Sequence, residues 1–195
     1  MNAKLAEPRQ IAHLMESIDR ALAVEPANPR MLFRRAQCLL AMGRARDACE
    51  AAAAAQLRAP SEAALLDAIG TLFSQANEPR RALAAYTQAI ALAPDQPHLL
   101  FNRATARRYL GEMAEAECDY DRVIALRPDD YEAYKNRSEL RTQTPDKNHT
   151  SVLEALLARG ASNPAGEVEL RYALAKEYED LGQFEQKLPT YNRLL

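Results

Sequence analysis

The stretch RALAAYTQAIALAPDQP, Arg81 to Pro97, decides how this chain is read. It opens on strong helix formers, mostly alanine and leucine. It then sets Pro94 where the helix would otherwise continue. Inside a helix, proline loses a hydrogen bond and clashes with the preceding turn, at a cost of about 3 kcal/mol. Just past the last turn it costs little and enforces a stop, and it also pushes the residue before it out of the helical region. Pro94 therefore ends one helix, and Asp95 is placed to cap the next.

The same stop recurs in ALAVEPANP (21–29), AQLRAPSEA (55–63) and IALRPDDYE (124–132). Pro26, Pro60, Pro94 and Pro128 are each 34 residues apart. An internal period of this length signals stacked supersecondary units. Other positions keep the register: Leu32, Leu66 and Leu100; Ala36, Gly70 and Ala104; Gly43, Asn77 and Gly111; Ala48, Ala82 and Ala116; Ala52, Tyr86 and Tyr120. Each unit reads as two helices. In the third, one helix is expected from about Gln96 to Leu110, a turn at Gly111, and a second helix from Ala114 to Leu126. Leu100, Ala104 and Arg107 form one stripe, and Tyr120, Val123, Ile124 and Leu126 form the packing face of the partner. Asp129 is placed to cap the helix after Pro128. A single pair cannot bury its apolar face, so neighbouring units must stack.

Composition agrees. Hydrophobic residues make up 48% of the 195-residue chain but aromatics only 6%, so alanine supplies much of the apolar surface and helices can approach closely. The net charge of −2 argues against a nucleic-acid partner. The charge is uneven: residues 1–108 hold 14 basic and 10 acidic side chains, residues 109–195 hold 11 and 17. Three scattered cysteines without a CxxC pair argue against a disulfide framework or zinc site. No apolar leader opens the chain, and no run of about 18 apolar residues occurs, so a soluble cytoplasmic protein without a membrane partner is expected.

These features resemble the tetratricopeptide repeat across residues 29–130. The resemblance rests on the 34-residue period, the small residues at the eighth and twentieth positions, the turn glycine, the aromatic at the twenty-fourth and the closing proline. The common fourth-position tryptophan is leucine in all three units, and Arg35 and Arg103 stand where an apolar residue is usual. The resemblance implies an all-α, right-handed superhelical solenoid of antiparallel helix pairs. The expected divisions are an incomplete leading helix (1–28, with Ile18, Ala21, Leu22 and Val24 in register), repeats at 29–62, 63–96 and 97–130, a divergent fourth (131–166) and an incomplete fifth (167–195). In the fourth, Pro145 takes the turn position, the turn is longer, and the second helix runs to SNP at Pro164. In the fifth, Leu174, Ala175, Tyr178, Gly182 and Phe184 match, while Lys187 and Pro189 break form. The end from Phe184 to Leu195 carries no polar capping helix, so the expectation is that the chain is cut there or that another domain or a second copy of the chain, by self-association, covers this end. The last third also resembles the repeat region preceding the catalytic domain of bacterial tetratricopeptide-repeat sulfotransferases, though the donor-binding phosphate loop of those enzymes is absent here.

No HExxH, Walker loop, GxGxxG or GxSxG occurs, and His13, His98 and His149 are dispersed. An enzyme, a metal site and a cofactor are therefore not expected. In the repeat family the first helix of each unit lines the concave side, with the second, fifth, ninth and twelfth positions on one stripe. The stripe gives a candidate groove for a protein or peptide: Arg30, Phe33, Gln37, Asp67, Thr71, His98, Phe101, Thr105, Arg108, Lys135, Glu139, Tyr172 and Lys176. Phe33 and Phe101 are either anchors for a ligand or packed against neighbouring units. Arg34, Arg35, Arg103, Arg107 and Arg108 are either a basic patch or long stems covering alanine-rich surface, with Arg107 expected to meet a carboxylate. The fifth position holds Phe33, Asp67, Phe101 and Lys135, so the dicarboxylate clamp of chaperone-binding repeats is not assembled.

Overall fold

The structure, a computed structural model, describes residues 8–59, 61–186 and 190. It is all-helical: α1 (Pro8–Val24), α2 (Pro29–Ala41), α3 (Ala45–Leu57), α4 (Ala63–Gln75), α5 (Pro79–Leu92), α6 (Pro97–Leu110), α7 (Met113–Leu126), α8 (Tyr131–Ser138), α9 (Thr150–Arg159) and α10 (Pro164–Asp180). By internal contacts it forms two compact units, Met1–Leu99 and Leu100–Leu195.

The punctuation behaves as its chemistry dictates. Pro26, Pro94 and Pro128 each follow the last helical residue by two positions; Pro60 lies outside the described residues. Prolines also open helices: Pro29, Pro79 and Pro164 sit in first turns, where no amide partner is lost. Asn28, Asp130 and Asn163 cap α2, α8 and α10 with side-chain oxygens. The cap of α8 is thus Asp130, not Asp129 as expected. Gly43, Asn77, Gly111 and Gly182 all take positive φ, at 75°, 58°, 81° and 70°. After each, the next amide reaches back five residues: Arg44 to Leu39, Glu78 to Phe73, Glu112 to Arg107 and Gln183 to Tyr178. This is the Schellman closure, repeated at four helix ends.

In the first unit α2 pairs with α3 and α4 with α5, while α1 packs on α2 and α3 on α4. Ala36, Ala48 and Ala52 are fully buried at the first pair. At the second, Tyr86 replaces the alanine and fills the space over Gly70, where a β-carbon would stand 2.6 Å from the ring. Ile18 of α1 is buried, but Val24 is 88% exposed and does not share its packing face.

In the second unit α7 packs on α8, and α10 packs on both α8 and α9. Tyr131, Tyr134, Leu153, Leu156, Leu170, Leu174 and Tyr178 form a core there. Gly166 lets α10 approach the Tyr131 ring, since a β-carbon would lie 2.0 Å from it. Arg107 meets its expected carboxylate, with Nη1 2.7 Å from Asp119, which Arg103 also grips at 2.6 Å. Leu126 is 42% exposed and lies off the buried Tyr120–Val123 face.

The fourth repeat departs furthest from expectation. Its first helix stops at Ser138, and an irregular segment runs to His149. Pro145 does lie in a turn, closed by paired backbone bonds between Thr144 and Lys147 of 3.0 and 3.2 Å. The helix yields because side-chain acceptors offer the segment other partners. The Gln143 amide donates to Asp180 at 2.7 Å, Arg141 and Lys147 grip Glu117, and His149 meets Glu177. The second helix ends at Arg159, with Gly160 at φ 86°, so Pro164 starts α10 rather than ending α9. Of the fifth-repeat residues, Leu174, Ala175 and Tyr178 are buried and Phe184 is 58% exposed. Lys187, Pro189 and residues 191–195, on which the self-association reading rests, lie outside the described residues.

Candidate peptide-binding face

Helical spacing places Phe33, Gln37, Leu40 and Ala41 along one face of α2. It places Ala68, Thr71, Leu72 and Gln75 along one face of α4. These eight residues line an open pocket of about 720 Å³. Three of the candidates, Phe33, Gln37 and Thr71, therefore come together. Phe33 is half-buried, which leaves part of its ring presented to the pocket. The Tyr86 hydroxyl donates to Thr71 Oγ1 at 3.3 Å, which leaves the threonine its own hydrogen to give. Burial pushes the Tyr86 hydroxyl up from its ordinary pKa, so it remains a neutral donor. Among the described residues, the Gln37 and Gln75 side-chain amides have no hydrogen-bond partner.

The charged candidates of the first unit sit beside this face in pairs. Arg30 donates to Glu62 at 3.0 Å, and His98 Nε2 stands 3.5 Å from Asp67. Arg35 lies 3.6 Å from Asp19.

In the second unit the candidates are engaged with protein. The Phe101 ring meets Tyr120 edge-on, 5.4 Å between centroids at 74°. Thr105 Oγ1 donates to the Phe101 carbonyl and lies 3.1 Å from the Tyr120 hydroxyl. Arg108 spans Asn136 and Glu139. Lys135 pairs with Glu169 at 2.8 Å and lies 5.8 Å from the Tyr172 ring centroid. The hydrogen bond to Glu169 holds the Lys135 ammonium above its ordinary pKa. Lys176 binds Asp180 at 2.5 Å and the Arg141 carbonyl. Lys135, Glu139, Tyr172 and Lys176 share a smaller pocket of about 120 Å³.

Sequence reasoning missed Gln75, although it lies one turn beyond Thr71 on the same face. It also missed Glu177, which is fully buried. Glu177 accepts from the Ser138 hydroxyl at 2.6 Å and the His149 amide at 2.6 Å, with His149 Nδ1 at 3.0 Å. Burial alone would raise its pKa, but bonds from His149 and Ser138 outweigh that and leave it below the ordinary carboxylate value. His149 belongs to the irregular segment and Ser138 ends α8, and no periodic pattern reveals their pairing with Glu177. Among the described residues, no group of three or more His, Cys, Asp or Glu is placed to hold a metal ion. No described helix is long and apolar enough to cross a membrane.

Comparison with known proteins supports a tetratricopeptide-repeat protein. The tetratricopeptide repeat family model matches residues 68–131. No curated protein matches the chain in sequence. Among solved structures, a crystal structure of MamA covers 95% of this chain and 99% of its own, at 16% identity and TM-score 0.60. YrrB, described as a TPR protein with an unusual peptide-binding site, covers 96% and 87% at 13% identity and TM-score 0.61. A tetratricopeptide repeat protein from Parabacteroides merdae ATCC 43184 covers 85% and 65% at 21% identity and TM-score 0.65. At these identities the likeness is one of fold: an all-α array of helix pairs.

Proposed function

We propose that this chain binds a peptide or protein segment on the face formed by α2 and α4. One observation carries the reading: Phe33, Gln37 and Thr71, drawn from two successive repeats, converge on one open pocket of about 720 Å³. That size lies in the range of ligand pockets, and its make-up of apolar wall with a few hydrogen-bonding groups is typical of them. The described peptide site of YrrB adds an analogy of fold to this argument.

The test is peptide display against the full chain. Wild type should enrich peptides that a Phe33→Ala variant, folded by circular dichroism, no longer retains. Peptides retained equally by both would remove this face from the account. Cys38, Cys49 and Cys118 are free, which suits the reducing cytoplasm. The sulfotransferase link rests on the sequence resemblance alone, and a coding sequence with no sulfotransferase domain would end it.

A further inference from the structure

The α2/α4 pocket is neutral in a chain with 27% charged residues: none of the eight side chains that line it is ionisable. We infer that its ligand is an extended, uncharged peptide segment anchored by a bulky apolar side chain; the inference rests on the proposed peptide-binding role.

Three features carry it. Phe33, Leu40, Ala68 and Leu72 supply an apolar wall with no countercharge. A charged ligand group pressed against that wall would lose its water without gaining a partner. Of the charges beside the face, Arg30 pairs with Glu62, and Asp67 lies 3.5 Å from the His98 ring. The polar groups that remain are two amides and one hydroxyl. Each side-chain amide offers both a donor and an acceptor, which is the complement of a peptide unit. An extended strand presents unpaired N–H and C=O groups to such partners. A helix has used its own internally, so the polar set favours the strand.

The register positions of the third repeat are bonded differently. Thr105, in register with Thr71, spends its hydrogen on the Phe101 carbonyl and lies beside the Tyr120 hydroxyl. Phe101 stands at the position held by Asp67 in the second repeat and lays its edge on Tyr120.

The test uses a library of acetylated, amidated ten-residue peptides, displayed to the full wild-type chain and to Ala41→Lys. Ala41 is exposed, so the added lysine leaves the packing intact. Wild type should enrich peptides without Asp, Glu, Lys or Arg within two positions of a Leu, Ile, Phe or Met anchor. Replacing that anchor by Asp or Lys should weaken binding at least tenfold. Ala41→Lys should shift the enriched set toward acidic flanks. Peptides that bind through charged anchors, or that are indifferent to Ala41→Lys, overturn the inference while leaving a peptide-binding protein. Failure to enrich any peptide overturns the binding role as well.

Discussion

At the scale of single residues, the fold depends on a few fits that leave no slack. Gly70 is one of them, since its missing β-carbon is the space that Tyr86 occupies. Gly70→Ala should destabilise the protein by about 1–3 kcal/mol through overpacking. Adding Tyr86→Leu should recover part of that loss in thermal melts; a neutral Gly70→Ala would contradict the packing. Glu177 is another. Its folded pKa lies below the ordinary carboxylate value, so its stabilisation is complete above about pH 4.3 and fades as pH falls through the lowered value. Glu177→Gln should cost about 1–3 kcal/mol at neutral pH. Melting curves of the two proteins should converge as pH falls below that lowered value. A gap that persists undiminished at low pH would show that the carboxylate charge is not what holds His149. Tyr178, whose hydroxyl is pushed up to about 12 by burial and by Glu154, stays neutral throughout that range.

At the scale of elements, helix ends were the most legible feature. Gly43, Asn77, Gly111 and Gly182 close helices because the left-handed conformation is cheap there. Gly111→Ala should cost about 1 kcal/mol, and Asp130→Ala, which uncaps α8, about as much. Chemical denaturation measures both, and unchanged midpoints would deny those roles. The early end of α8 was not legible. Sequence patterning reads local spacing, whereas Gln143, Arg141 and His149 are drawn off the helix by Asp180, Glu117 and Glu177 on other elements. The same limit applies to the candidate site. Helical register brought Phe33, Gln37 and Thr71 to one face. It could not show that Phe101 would lean on Tyr120 or that Arg108 would reach Glu139. Those pairings depend on the distance between helices, which a period does not encode.

At the scale of the whole molecule, the uneven charge of the sequence becomes a set of local pairs. Arg103 and Arg107 are consumed by Asp119, and Arg141 and Lys147 by Glu117. The lining residues of the α2/α4 pocket carry no charge. Binding there should therefore change less than about twofold between low and high salt, because screening acts on charges left in water. A steep salt dependence, measured by titration calorimetry, would point to the charged surface instead. Amide-resolved NMR of the full chain with a display-selected peptide tests most directly whether the α2/α4 face receives the peptide. Shifts confined to residues 33–41 and 68–75, and abolished by Phe33→Ala, are predicted. Shifts mapping to other helices while those segments stay silent would contradict it.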